Sequence, residues 1–170
     1  LLDGEAGFFF GAYVAEGCSS HAQVCISNND PVYRDKLMPF IARLGVNSHI
    51  QQETDKNDPG WTVCVHSVML SKVMLHHCGH LAHNKRVPAF VFNAPDSFIQ
   101  GFVDGYVSGD GCVRSDISMG SVSEELIVGM QLLFTRFGLF GRMSSHQMTH
   151  TAPENMHRTH TPHIGAGQAS

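Results

Sequence analysis

The sequence predicts a mixed α/β fold of the α+β kind, built from two pseudo-symmetric halves. Three observations predict it. Residues 9–17, FFGAYVAEG, recur as residues 103–111, VDGYVSGDG, at an offset of 94. Small residues fall four apart in both copies, as Gly7, Gly11 and Ala15 and as Gly101, Gly105 and Gly109. Each copy then ends in an acid followed by glycine and cysteine, Glu16-Gly17-Cys18 and Asp110-Gly111-Cys112. A repeat of so large a period, with the same local signals in the same order, implies that one structural unit is used twice.

The elements follow in order. Residues 5–16 and 96–110 read as short helices, each stopped by the glycine after its acid, the residue that tolerates a left-handed C-cap. Polar stretches carrying Val and Ile come next, over 17–28 and 111–121, and read as hairpins. Asp30, with Pro31 behind it, and Ser123 are N-caps of two further helices, Pro31–Leu44 and 124–137. Leu37, Ile41 and Leu44 in one, and Leu126, Met130, Leu133 and Phe137 in the other, supply an apolar face at helical spacing. Arg43-Leu44-Gly45 recurs as Arg136-Phe137-Gly138, now at an offset of 93. The first copy continues through strands near 46–52 and 61–66, split by a turn at 54–60, and a helix near 67–77. The second reaches a strand near 141–145 and then a His-, Thr- and Pro-rich stretch that reads as a flexible tail. The expected division is a first half over 1–93, an incomplete second half over 94–146 and a tail over 147–170.

Composition bounds the function. Hydrophobic residues make up 42% of the 170, ordinary for a globular domain and too many for a disordered chain. No apolar run approaches the roughly 20 residues of a membrane span, and no basic segment precedes a cleavage site. The five cysteines, 18, 25, 64, 78 and 112, are odd in number and lack a framework spacing. They read as free thiols in a reducing, intracellular compartment. Eleven Lys+Arg against 15 Asp+Glu give a net charge of −4, whereas nucleic-acid-binding domains carry a basic excess. The 12 histidines are mostly neutral at pH 7. Charge alone therefore points away from DNA.

Pattern points the other way. Residues four apart share a helix face, and glycine inside a helix costs about 1 kcal/mol against alanine. Two matched stripes of Gly7, Gly11, Ala15 and Gly101, Gly105, Gly109 thus imply two helices packed backbone to backbone. Glu16 and Asp110 lie at the C-terminal ends of those helices, where the macrodipole disfavours anions. Side by side, the two carboxylates repel unless a cation lies between them. A hard divalent ion takes such oxygen ligands and keeps positions for phosphate oxygens and water, which suggests metal-assisted phosphodiester hydrolysis.

The segments GAYVAEG and FVDGYVSGDG resemble the two LAGLIDADG, or dodecapeptide (DOD-type), motifs of homing endonucleases. Asn84-Lys85-Arg86-Val87-Pro88 resembles the Lys-x-Ile/Val-Pro block that precedes the second motif in intein-encoded members, especially those of polymerase genes. The resemblance covers roughly residues 7–145. It implies two αββαββα-type halves around a saddle of antiparallel strands that takes double-stranded DNA with a long recognition site. It also implies that Glu16 and Asp110 bind Mg²⁺ (Mn²⁺ substituting) at the helix interface, with Lys85 assisting water activation or stabilising phosphate charge. The expected protein is a monomer with internal two-fold symmetry, joined to a host protein through splicing segments. His21, Gln23, Ser27, Arg114, Ser118 and Arg142 are the strand and hairpin residues expected to meet DNA.

Two departures stand against this pattern. The first motif begins within ten residues of Leu1, and the chain ends Ala169-Ser170 rather than in a His-Asn pair, so no splicing elements are expected in residues 1–170. No lysine follows Lys85, and its equivalent in the second copy would fall beyond Ser170; the second half therefore reads as truncated. A catalytically inactive DNA-binding remnant or maturase-like helper is the alternative. The cluster His76, His77, Cys78, His80 and His83 has zinc-like spacing. It has no second Cys/His pair, however, and reads as part of an ordinary loop before Lys85.

Overall fold

The structure is a computed structural model that describes residues 1–52, 60–114, 116–148 and 157–165, with 146–148 and 157–165 described by backbone alone. The first half runs α1 (Gly4–Glu16), β1 (Gly17–Ser19), β2 (Gln23–Ser27), α2 (Pro31–Leu44), β3 (Ser48–Gln52), β4 (Trp61–His66) and α3 (Val68–Cys78). Two short 3-10 turns, Ala82–Asn84 and Ala89–Asn93, lead to the second half. That half runs α4 (Asp96–Asp110), β5 (Gly111–Val113), β6 (Ile117–Met119), α5 (Glu124–Arg136), β7 (Phe140–Met148) and β8 (His157–Gly165). The strands form two antiparallel four-stranded sheets, ordered β1-β2-β4-β3 and β5-β6-β8-β7. The two orders are the same, so the repeat in sequence is a repeat in topology. Of the turn expected at 54–60, only Gly60 lies among the described residues.

Local chemistry sets the boundaries. Asp30 accepts from the Val32 amide at 2.9 Å and Ser123 from the Leu126 amide at 3.2 Å, capping α2 and α5 as expected. Arg43 pairs with Asp3, the N-cap of α1, and Arg136 with Asp96 at the start of α4. These matched pairs explain why the arginines recur. Gly45 and Gly138, which follow them, have positive φ of 63° and 73°.

Two expectations are corrected. Gly17 and Gly111 are not left-handed caps: their φ values are −90° and −87°. Glycine is required there by crowding, since a Cβ would lie 2.6 Å from Tyr13 Cα at Gly17 and 2.4 Å from the Val107 carbonyl at Gly111. The stretch after 146 is also not simply a tail. Strand β7 runs to Met148, and His157–Gly165 pairs with it and with β6. Thr and Ile on that strand fit a pleated sheet, a signal masked in the sequence by the density of His and Pro.

The core is centred on α1 and α4. Phe9, Tyr13, Phe98, Phe102 and Tyr106 are fully buried, along with Leu37 and Ile41 of α2 and Leu133 and Phe134 of α5. Val24, Ile26, Val63 and Val65 cover the inner face of the first sheet. No helix among the described residues is long and apolar enough to cross a membrane.

Candidate active site

The two glycine stripes place the site. A Cβ added at Gly7 would lie 2.1 Å from the Phe98 carbonyl, and one at Gly101 the same distance from that of Gly4. At Gly11 it would meet the Phe102 carbonyl at 2.0 Å, and at Gly105 that of Phe8 at 2.3 Å. These contacts are related pairwise by the internal offset and advance together along both helices. The helices therefore run in the same sense and end together. At the shared end a Cβ added at Gly109 would lie 2.8 Å from the Ala15 Cβ and 3.2 Å from Glu16 Cγ.

Glu16 and Asp110 are thus neighbours, and with Lys85 they line one cavity of about 560 Å³ together with Tyr13, His80 and Ser121. Burial raises the Glu16 carboxyl above its usual range. Asp110, although it opens onto the cavity, is pushed up to about 7, first by burial and then by Glu16, with Lys85 opposing. Two carboxyls raised by burial in this way form a donor set suited to a hard divalent cation, which would favour the ionised form of both.

Lys85 is only 6% exposed. Its Nζ donates to the carbonyls of Tyr13 at 2.6 Å and Gly17 at 2.8 Å, and lies 3.6 Å from the centre of the Tyr13 ring. It therefore caps the negative end of α1 beside the acids. Burial lowers it to about 8. Its own backbone is fixed by Ser123, whose hydroxyl donates to the Lys85 carbonyl at 2.6 Å.

Sequence reasoning missed Tyr33. From α2 its hydroxyl donates to the Gly105 carbonyl at 2.9 Å and faces Gly109. Burial and then the charges of Glu16 and Asp110 raise its pKa, so it stays a donor. It looks like any apolar-face residue of an amphipathic helix, and only the close approach of α4 gives it a role.

The expected DNA-contact residues are divided between the two sheets and their turns, and Ser27 lines a second cavity together with Glu16. Gln23 and Ser27 occupy the face of β2 opposite the core, Ser27 bonded to Thr62 at 2.8 Å, and His21 is exposed in the β1–β2 turn. In the second sheet Ser118 and Arg142 share a cross-strand row through His163, and Arg114 is exposed in the β5–β6 turn. Of the histidine cluster, His76 and His77 stack edge-on at 4.7 Å, and Cys78 is buried in the core.

A profile of the LAGLIDADG-like domain matches residues 3–79 and 97–160, most of the chain and both halves. The chain belongs to the LAGLIDADG family. Among curated relatives it is 34% identical over 142 residues to the DNA-directed RNA polymerase subunit Rpo1C of Methanocaldococcus jannaschii. That alignment covers 82% of this chain but 16% of the relative, so the LAGLIDADG chain spans less than a fifth of that protein. Among solved structures, the homing endonuclease I-DmoI in complex with DNA and Mn superposes with a TM-score of 0.66. It is 15% identical, with 97% of this chain and 91% of that one covered. The N-terminal LAGLIDADG domain of DUF199/WhiA superposes with a TM-score of 0.60 at 11% identity, covering 95% of this chain and 75% of that one. At such identities these two likenesses speak for the fold.

Proposed function

We propose that this chain is the endonuclease domain of an intein, a site-specific enzyme that cuts both strands of a long DNA site using Mg²⁺. The observation that carries the reading is the meeting of Glu16, Asp110 and Lys85 in one cavity at the shared end of the α1–α4 pair. Glu16 and Asp110 would hold Mg²⁺, or Mn²⁺ in its place, and the ion would polarise the scissile phosphate and lower the pKa of bound water. Lys85, lowered to about 8, can donate a hydrogen bond to phosphate oxygen or hold a proton close to neutral pH. Its two carbonyl partners hold the ammonium at the end of α1, in the cavity that Glu16 and Asp110 also line. Tyr33 fixes α2 against α4 through the Gly105 carbonyl and packs beside Gly109, close to the carboxylates.

The outward faces of the two sheets, with His21, Gln23, Ser27, Arg114, Ser118 and Arg142, would lie along the duplex. The pseudo-symmetry lets a monomer offer one carboxylate to each strand. The likeness to a polymerase subunit far longer than the aligned region fits a domain carried inside a host protein and acting within the cell. To test this, the chain is incubated with Mg²⁺ and a plasmid library of long random inserts, and the cut ends are sequenced. The expected result is double-strand breaks at one sequence with a fixed stagger. Cuts scattered over sequence, or none, would refute the proposal.

A second reading is a DNA-binding protein without nuclease activity, favoured by the burial of Lys85 and the engagement of its ammonium by the Tyr13 and Gly17 carbonyls. It predicts retention of selected duplexes without cleavage under any divalent ion.

A further inference from the structure

On the face of the first sheet opposite the core, one cross-strand row reads Cys18, Cys25, Cys64, His49. The Cys25 and Cys64 sulfurs are 3.1 Å apart, and Cys18 stands directly opposite Cys25 across the β1–β2 pair. Exposure falls along the row: Cys18 is exposed, Cys25 half-buried and Cys64 buried. We propose that this row is an oxidation site that closes a Cys25–Cys64 disulfide, with Cys18 as the thiol that meets the oxidant. It stands whether or not the chain cuts DNA.

Directly opposed residues on antiparallel strands have Cα atoms roughly 4.5–5.5 Å apart, within the roughly 4.4–6.8 Å that a disulfide spans. Among the described residues no three His, Cys, Asp or Glu side chains meet as a metal requires, so the row is not read as a metal site. Burial and the two neighbouring thiols push Cys25 up to about 12, which leaves it a poor first nucleophile.

A peroxide oxidant therefore reacts at Cys18. The Cys18 thiolate takes one oxygen from hydrogen peroxide, becoming a sulfenic acid and releasing hydroxide, which takes up the proton the thiol gave up. The Cys25 thiol attacks that sulfur, an S–S bond forms, and the hydroxyl leaves with the thiol proton as water. Cys64, on the far side of Cys25 in the row, then attacks the Cys25 sulfur and expels Cys18, which recovers the proton. Two thiols and one peroxide give one disulfide and two waters. The matching row of the second sheet, Cys112, Ser118, His163, has serine where the first has Cys25 and cannot follow this route.

The test is limiting hydrogen peroxide on the whole chain, with thiols counted by maleimide mass labelling after denaturation and the bond located by peptide fragmentation. The five thiols should fall to three, and the bond should join Cys25 to Cys64. Cys64→Ser should stop at Cys18–Cys25, and Cys25→Ser should form no internal bond. Cys18→Ser should reach the Cys25–Cys64 bond at least tenfold more slowly. Persistence of all five thiols in the parent, or a bond between any other pair, overturns the proposal without recourse to variants. Closure of Cys18→Ser at the parent rate overturns the entry role of Cys18.

Discussion

Lys85 is held by contacts from three directions: two carbonyls at the end of α1, the face of Tyr13, and Ser123 on its own carbonyl. A methionine there keeps the length and loses the charge. Lys85→Met should slow cleavage on the order of 10²-fold, the scale of one proton-transfer group, while selected DNA is still retained in a filter assay. The acids give a second prediction. In the metal-free protein the Asp110 carboxyl, followed by its carbon resonance, should titrate near pH 7 and move down when Mg²⁺ is added. A carboxyl whose folded pKa exceeds its unfolded value contributes stability that is full below 3.8 and lost as pH rises to about 7. The metal-free chain should therefore lose stability over that window, and Asp110→Asn should flatten the slope. Tyr33 could not be recognised from sequence, because its position fits the apolar face of α2 equally well as packing. Lys85 could be named only through a short motif resemblance, since nothing in its flanking residues announces burial.

At the scale of elements, spacing carried the most information. Glycines four apart in register signalled the close helix pair, and Asp30 and Ser123 fixed two helix starts. Where one residue type serves two purposes, sequence reasoning failed: Gly17 and Gly111 read as left-handed stops but are there because Tyr13 and Val107 leave no room for a Cβ. The same crowding makes the helix pair testable. Alanine at Gly11 or Gly105 gains about 1 kcal/mol in helix propensity. It also drives a methyl to within 2.0 or 2.3 Å of a backbone carbonyl, which neither helix can yield without separating. Overpacking of this kind costs roughly 1–3 kcal/mol and more when backbone must move. Both variants should be less stable in urea unfolding, whereas Gly109→Ala, which meets mainly side chains, should lose less. Equal or greater stability in Gly11→Ala would mean that α1 and α4 do not pack as described.

At the scale of the molecule, two copies of one topology bring their helix ends together and leave two sheet faces outside. Net charge points away from a nucleic-acid partner, yet affinity for DNA depends on where cations stand as well as on their sum. If the sheet faces take a duplex, phosphate contacts dominate, and retention of a selected DNA should weaken on the order of 10³-fold between 50 and 200 mM salt. A salt-independent affinity would place the contacts elsewhere.

We propose that Glu16 and Asp110 form a divalent-metal centre that cuts DNA. The most direct measurement is cleavage of a duplex selected by the parent chain, run with Mg²⁺, with chelator, and with Asp110→Asn. Loss of one charged ligand should remove roughly 3–4 kcal/mol of transition-state stabilisation, a rate loss near 10³-fold. The expected pattern is cleavage by the parent with Mg²⁺ alone, and intact but still bound DNA with chelator or with Asp110→Asn. Cleavage at the parent rate in Asp110→Asn, or in the presence of chelator, would contradict it and reduce the two acids to structural ends of their helices.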